Sequence, residues 1–235
     1  MNLLLLQPQD FIDDQRVRLQ GRRLQHLRCV HQAQTGDRLR VGLLDGLMGE
    51  GLITRLDSEL AELEVQLSEP PPAKLPLSLL LALPRPKMLR RILQHCASLG
   101  VAKLILLNSY RVEKSYWQTP FLQPEVIREN LILGLEQARD TRLPQVQIEK
   151  RFKPFVEDRL PSLLDGRLGL LAHPGEYPEC PRGIQQSALL AIGPEGGWIP
   201  YEVDKLIEAG LQPVQIGPRI LRVETAVSSL IGRLF

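Results

Sequence analysis

The sequence is poor in cysteine, and neither its cysteines nor its histidines are spaced as metal ligands are. Cys29, Cys96 and Cys180 are the only cysteines in 235 residues, and their odd number and wide separation predict reduced thiols and no structural zinc site. The four histidines are equally scattered, at His26, His31, His95 and His173. We therefore expect a cytosolic protein without a metal centre.

Long apolar runs and nucleotide-binding motifs are also missing. The apolar run at residues 3–6 is too short for a secretion signal and has no basic flank. No segment approaches the roughly 20 apolar residues that a membrane-spanning helix needs. No phosphate-binding loop and no Gly-x-Gly-x-x-Gly motif occurs, so ATP and dinucleotide cofactors have no support. These absences predict a cytoplasmic protein with no membrane partner.

Charge is nearly balanced overall but unevenly distributed along the chain. The net charge is +2, yet residues 16–40 carry seven arginines against one aspartate, residues 45–69 carry seven acidic residues against one arginine, and residues 85–114 carry seven basic residues against one glutamate. Arginine-rich segments suit phosphate backbones. We expect the two basic stretches to form one RNA-binding surface, with the acidic stretch facing away. The alternative is a solvated, internally salt-bridged surface.

A proline-rich run divides the chain into two domains. Residues 68–76 contain four prolines, which favours an extended linker at residues 70–76. Residues 1–69 show short, partly alternating strands between glycines and a helix at 19–30, as in a small β-barrel.

After the linker, apolar runs alternate with amphipathic stretches. Strands are predicted at 77–83, 104–107, 146–148, 168–172, 188–192 and 213–216, and helices at 87–99, 124–139, 155–164, 201–209 and 225–234. Continuous apolar strands are buried on both faces, which is typical of a parallel sheet. Residues 77–235 are therefore predicted to form an α/β domain.

Three glycine-containing loops follow predicted strands of this domain. They lie at residues 173–175, 193–197 and 217–219. In an open α/β sheet, ligands bind beyond the carboxyl ends of the strands, and glycine lets the backbone approach a ligand closely. The three loops are candidates for one pocket, although each alone also fits an ordinary turn.

Two motifs in these loops carry a family resemblance. AIGPEGG at residues 191–197 and IGPRILRVETA at residues 216–226 resemble the paired signatures of the RsmE family, which methylates N3 of a uridine in 16S ribosomal RNA. The resemblance covers residues 75–235 and is weaker before them. It implies a SPOUT-type α/β trefoil-knot domain after a PUA-like RNA-binding barrel, a homodimer, S-adenosylmethionine as cofactor, and ribosomal RNA or the small ribosomal subunit as partner.

The resemblance also implies site residues. The cofactor would contact Leu171, His173, Ile192, Gly193, Glu195, Gly196, Gly197, Ile216, Gly217, Leu221 and Arg222. Arg222 would stabilise charge on a uracil oxygen, and Glu224 would orient the base or accept its proton. RNA-binding candidates are Arg22, Arg23, Arg28, Arg85, Lys87, Arg90, Arg91 and Arg142.

The sequence departs from the family at several positions outside the cofactor loops. His31, Gln32, Ser98 and Asp140 differ from the usual family residues, which leaves open the methylated nucleotide. The form of the substrate, free RNA or assembled subunit, and the general base are also left open by the sequence. Two other functions remain as alternatives: a ribose 2′-O or other-base RNA methyltransferase, and a non-catalytic RNA-binding or ribosome assembly protein.

The last predicted helix supports a dimer by a separate argument. Val227, Leu230, Ile231 and Leu234 form an apolar stripe close to the end of the sequence. Because little chain remains to cover it, we expect the stripe to bind a second copy. Burial within the same chain is the alternative.

Overall fold

The chain divides into two units in the computed structural model, which describes residues 2–235. The N-terminal unit comprises the residues up to Ala73 together with Ile132–Leu143, and the C-terminal unit comprises Lys74–Leu131 and Pro144–Phe235. The first boundary lies inside the predicted linker. The second lies inside a helix, a division that the predicted boundaries of 1–69, 70–76 and 77–235 did not include.

The N-terminal unit is a curled five-stranded sheet with one helix. Its elements are β1 (Leu4–Leu6), β2 (Arg16–Leu19), α1 (Gly21–Cys29), β3 (Arg38–Leu43), β4 (Met48–Leu56) and β5 (Ala61–Glu69). The strand order is β1-β3-β4-β5-β2, with β1 parallel to β3 and the other pairs antiparallel. Alternate strand residues such as Val17, Ile53 and Leu63 pack with Leu24 and Leu27 of α1 in the core. This half-barrel agrees with the predicted barrel domain.

Hydrogen bonds explain why Ile132–Leu143 belongs to the N-terminal unit. The backbone N–H groups of Asn2 and Leu3 donate to the Glu136 carbonyl at 3.1 and 3.0 Å. The Thr141 hydroxyl donates to the Gly46 carbonyl at 2.6 Å. These partners are far apart in sequence, so neither periodicity nor composition indicates that they meet.

The C-terminal unit is built on a six-stranded parallel sheet. Its elements are β6 (Leu75–Ala82), α2 (Pro86–Ser98), β7 (Val101–Leu107), α3 (Pro124–Ala138, which continues into the N-terminal unit), β8 (Gln145–Glu149), α4 (Phe152–Pro154), α5 (Leu160–Leu164), β9 (Leu168–Ala172), β10 (Ala188–Ile192), α6 (Pro200–Glu208), β11 (Gln212–Val214) and α7 (Val223–Leu234). The order is β11-β9-β10-β6-β7-β8, with every pair parallel. The predicted parallel sheet is confirmed. The knot implied by the family resemblance stays a prediction, because strand order alone does not define how the chain threads.

The apolar stripe of α7 is covered by its own chain. Val227, Leu230, Ile231 and Leu234 are each no more than 2% exposed, and α7 packs against α2 and β10. The expectation that this stripe needs a second copy is therefore wrong, because two earlier elements supply the cover. No helix within residues 2–235 is long and apolar enough to cross a bilayer.

Candidate active site

A cavity of about 270 Å³ lies at the carboxyl ends of β9, β10 and β11. The loops at residues 173–175, 193–197 and 217–219 all contribute to its wall, and α7 contributes Val223, Ala226 and Leu230. Because the strands are parallel, their carboxyl ends meet at one edge of the sheet. The three loops that the sequence predicted as ligand sites therefore form one pocket.

Two glycines allow the loops to approach each other closely. A Cβ atom at Gly193 would lie 3.1 Å from two atoms of the Trp198 ring, closer than ordinary packing permits. Gly217 has a φ of +130°, a conformation that residues with a side chain rarely adopt. Gly193 therefore lets the Trp198 ring pack on the loop, and Gly217 allows the turn after β11.

The cavity is mostly apolar, and two of its lining residues carry a buried ring nitrogen. His173 Nδ1 and Trp198 Nε1 have no hydrogen-bond partner within residues 2–235. Buried polar atoms without a partner are uncommon, so both rings differ from ordinary core residues. Burial also lowers the pKa of His173 below its ordinary value of 6.5, so its ring is neutral near pH 7.

Contacts from elsewhere in the C-terminal unit hold the loop at residues 193–197. The Glu195 carboxylate accepts a hydrogen bond from the Arg85 backbone N–H at 2.9 Å. The Arg111 guanidinium donates to the Gly196 carbonyl. These bonds fix the loop between the residues that precede α2 and those that follow β7.

The cavity brings together nine of the eleven residues proposed for the cofactor. Its lining includes His173, Ile192, Gly193, Glu195, Gly196, Gly197, Ile216, Gly217 and Leu221. The other two do not line it: Leu171 is buried within β9, and Arg222 is the exposed N-cap residue of α7. Glu224 stands in the first turn of α7 and is also outside the lining.

Sequence reasoning missed several residues that line the cavity, and Arg219 and Trp198 are the most informative of them. Arg219 lies in the predicted loop at residues 217–219 but was not assigned to the cofactor site. Its side chain supplies the guanidinium group among the lining residues. Trp198 directly follows Gly196 and Gly197 of the signature motif, and this position is a sequence signal that could have identified it.

The lining residues fit S-adenosylmethionine. The side chains of Ile192, Val214 and Leu221 provide an apolar slot for a flat ring. The backbone of the loops provides hydrogen-bonding positions for a polar edge. No lysine lines the cavity, so the wall places no ammonium group against a positive sulfur.

The first basic stretch is neutralised within the N-terminal sheet. Arg18 of β2 pairs with Glu62 of β5 at 2.8 Å, and two further arginines on β3, Arg38 and Arg40, pair with Glu50 and Glu69. Strand pairing places the acidic stretch beside the basic one, so the two neutralise each other. These ion pairs agree with the alternative of an internally salt-bridged surface, whereas the orientation of the acidic stretch relative to RNA stays a prediction.

Two of the RNA-binding candidates on α1 are also used inside the N-terminal unit. Arg22 forms a two-bond pair with the Glu136 carboxylate at 3.0 Å. Arg23 is half-buried and donates to both Asp10 oxygens and to the Leu5 carbonyl. Their guanidinium groups are thus occupied by the fold.

The remaining candidates are exposed. Within residues 2–235, no carboxylate pairs with the side chains of Arg28, Arg85, Lys87, Arg90, Arg91 or Arg142. Four of the six belong to α2 or the residue before it. Arg90 also lies over the Phe121 ring, 5.2 Å from its centre. Among the RNA-binding candidates of the C-terminal unit, the unpaired positive charge therefore lies on α2 and the residue before it.

Comparison with known proteins supports the family prediction. The sequence profile of the RNA methyltransferase domain family matches residues 71–234. Ribosomal RNA small subunit methyltransferase E of a Synechocystis species is 30% identical over 98% of this chain and 76% of that protein. The protein of the same name from Treponema pallidum is 28% identical over 96% of this chain and 87% of its own length.

A solved structure has the same fold. Ribosomal RNA small subunit methyltransferase E from Neisseria gonorrhoeae, bound to S-adenosyl methionine, superposes with a TM-score of 0.77 at 24% identity, covering 98% of this chain and 95% of that one. The match extends over both units and confirms the predicted fold class. With its cavity built from the two signature motifs and its family profile matched over residues 71–234, this chain belongs to the RsmE family of RNA methyltransferases.

Proposed function

We propose that this protein transfers a methyl group from S-adenosylmethionine to N3 of a uridine in small-subunit ribosomal RNA. One observation carries the proposal: the residues of both signature motifs converge on a single cavity at the carboxyl ends of β9, β10 and β11. The names of the relatives from Synechocystis and Treponema pallidum support the ribosomal RNA substrate. The position on the uridine follows from the family resemblance.

The cofactor would be held by the loops after β9, β10 and β11. His173 and Trp198 would supply ring nitrogens, and the backbone from Gly193 to Gly197 and at Gly217 would approach it closely. Leu171 and Arg222 remain cofactor candidates through the motif alone. When bound, the cofactor supplies a methyl group on a positive sulfur, ready for attack by a nucleophile.

The chain must make N3 of uracil nucleophilic. An imide N–H has a pKa of about 10, similar to that of tyrosine, so forming its anion at pH 7 costs about 4 kcal/mol. A fixed guanidinium group in a partly dry pocket stabilises charge that develops on a neighbouring carbonyl oxygen. We assign this role to Arg222 through the motif and add Arg219 because it lines the cavity. Glu224 would orient the base or accept the proton.

RNA would be held by the exposed basic residues. On the C-terminal unit these are Arg85, Lys87, Arg90 and Arg91, and on the N-terminal unit Arg28 and Arg142. Arg22 and Arg23 leave the proposed set because Glu136 and Asp10 already bind them. The N-terminal unit would act as the PUA-like RNA-binding domain.

The homodimer and the cytoplasmic location are proposed on narrower grounds. The dimer rests on the family resemblance alone, since the apolar stripe of α7 is buried within the chain. The cytoplasmic location follows from a ribosomal RNA substrate. Light scattering at micromolar concentration is expected to give twice the mass of the chain, and the mass of one chain would contradict the dimer.

Two measurements test the enzyme proposal together. Calorimetry should detect binding of S-adenosylmethionine to the protein. Ribosomal RNA from a strain lacking the gene, incubated with protein and cofactor, should yield 3-methyluridine when its nucleosides are analysed by mass spectrometry. If the protein binds the cofactor but the product is a ribose-methylated nucleoside, the protein is a ribose methyltransferase and not a uridine N3-methyltransferase. If calorimetry detects no heat at millimolar cofactor, only the non-catalytic alternative remains.

A further inference from the structure

A second cleft lies at the same edge of the C-terminal sheet as the cofactor cavity. Its volume is about 670 Å³, and its wall comes from the residues after β7, the residues after β8 and the start of α6. The two sites adjoin, because the Phe152 ring of the cleft lies 6.2 Å from the Trp198 ring of the cavity. The cleft is thus placed beside the point where methyl transfer would occur.

The cleft concentrates aromatic side chains in a protein that has few. Of eleven aromatic residues in the chain, four line it: Tyr110, Trp117, Phe152 and Tyr201. Tyr110 is 79% exposed and Tyr201 is 46% exposed. Large apolar rings with this much exposure usually mark a binding surface.

Hydrogen bonds hold the aromatic wall in place without a ligand. Trp117 Nε1 donates to the Asn108 side-chain oxygen at 2.7 Å. The buried Glu202 carboxylate accepts the Tyr110 backbone N–H at 2.7 Å and the Ile199 backbone N–H at 3.1 Å. Both Glu202 oxygens are therefore bonded, and the backbone that carries Tyr110 is anchored to the start of α6.

Two further observations indicate the chemistry of the occupant. Three of the seven lysines in the chain line the cleft, at Lys114, Lys150 and Lys153. Lys153 lies 3.9 Å from Glu157, and the carboxylate among the lining residues, Glu202, has both oxygens occupied by backbone N–H groups. In addition, Ser109 is 3% exposed, and its hydroxyl has no hydrogen-bond partner within residues 2–235. The cleft thus offers exposed rings, positive charge and an unpartnered buried hydroxyl.

We propose that this cleft binds an unpaired nucleotide segment of the RNA substrate, with a base stacked on the aromatic wall and phosphates near the lysines. Exposed rings with interspersed cations are how proteins hold single-stranded nucleic acid, because every base has a face that stacks. A second copy of this chain fits less well, because a symmetric contact near the two-fold axis brings the lysines of one copy against those of the other. The proposal rests on the proposed methyltransferase function and adds a second RNA contact to it.

The test measures binding of a short, dye-labelled oligouridylate to the full chain by fluorescence anisotropy. Tyr110→Ala should weaken binding on the order of tenfold, because it removes one stacking surface. Tyr110→Phe should bind as the wild type does, because the ring remains. Lys150→Gln should lower the slope of log affinity against log salt by about 0.7.

Matched controls lie on the same unit but outside the cleft. Ile207→Ala removes an exposed apolar side chain from α6, and Lys103→Gln removes a lysine from β7; neither should change binding. The proposal is overturned if Tyr110→Ala and Lys150→Gln both bind like the wild type. It is also overturned if Tyr110→Ala halves the particle mass in light scattering, since the cleft would then be a contact between copies.

Parallel assays separate this proposal from the proposed function. If the wild type methylates ribosomal RNA and Tyr110→Ala binds oligouridylate normally, the proposed role of the cleft is wrong and the methyltransferase function stands. If the wild type binds oligouridylate through Tyr110 but transfers no methyl group, the cleft binds RNA and the proposed methyltransferase function is wrong. Calorimetry with S-adenosylmethionine should give the same affinity for every variant.

Discussion

Arg219 and Arg222 stand three residues apart in the segment before α7, and their surroundings differ. Arg219 lines the cavity, whereas Arg222 is exposed at the N-cap position of the helix. The motif matched in the sequence contains both and assigned the chemistry to Arg222. Only three-dimensional placement distinguishes an arginine that lines the cofactor cavity from one that is exposed at the start of a helix, because both have the same composition and charge.

The two arginines can be separated by single variants. We expect Arg219→Ala and Arg222→Ala each to lower the rate of methyl transfer on the order of a hundredfold, since each would remove a fixed charge from the transition state. Cofactor affinity should stay within a few-fold of the wild type. The readout is single-turnover transfer of labelled methyl groups to ribosomal RNA, with Arg182→Ala as a surface control. Either variant with an unchanged rate is excluded from the catalytic set.

His173 makes cofactor binding depend on pH. Burial lowers the pKa of His173 below 6.5, so the folded state binds fewer protons than the unfolded state. The free energy of unfolding therefore falls as the pH drops below 6.5. A protonated ring in the cavity also repels a positive sulfur. We expect the cofactor dissociation constant to rise as the pH falls below 6.5.

The matched variant is His173→Asn, which carries no charge at any pH. Calorimetry across the same pH range should give a nearly constant dissociation constant for this variant. An equal pH dependence in both proteins would show that another group, such as His26, whose pKa burial also lowers, is responsible.

The sequence predicted individual elements well but not their neighbours. Apolar runs such as the one in β10 and the amphipathic period of α2 depend on local spacing, and both agree with the structure. The pairing of β2 with β5 depends on contacts between remote residues, so the sequence could not show that Arg18 meets Glu62. The same limitation explains the wrong expectation for α7, whose cover comes from α2 and β10.

Strand pairing divides the basic residues into two classes with different effects on RNA binding. Replacing Arg90 and Arg91 of α2 with glutamine should flatten the salt dependence of RNA affinity, lowering the log–log slope by about 1.5 for the two phosphates lost. Replacing Arg18 and Arg38 in the same way should leave the slope unchanged, because carboxylates already neutralise them. Filter binding of 16S ribosomal RNA over a salt series gives both slopes. Equal slopes in the two double variants would mean that α2 does not contact RNA.

The whole chain is less modular than its proline-rich linker suggests. Glu136 belongs to a helix that begins in the C-terminal unit, yet its side chain is 4% exposed and is paired with Arg22 of the N-terminal unit's own helix. The family resemblance also implies a knot, which no periodicity in the sequence can indicate. Local patterns describe elements, whereas both features are properties of the path of the chain.

Stability should depend on this distant pair. Glu136→Gln removes the charge that binds Arg22 and should lower the free energy of unfolding by about 1 to 3 kcal/mol, the usual effect of losing a hydrogen bond to a charged group in a buried site. Glu129→Gln, an exposed change on the same helix, should have little effect. Chemical denaturation followed by circular dichroism measures both. Equal midpoints for the two variants would contradict a structural role for the pair.

The position of Ile132–Leu143 also sets the order in which the protein can fold during synthesis. All five strands of the N-terminal unit have been translated by Glu69, but Thr141, which packs against Gly42 and bonds to Gly46, is translated about seventy residues later. In the meantime β6, α2 and β7 are synthesised. The first unit therefore stays unfinished while the second is being built, and it can close only after Leu143 has been added.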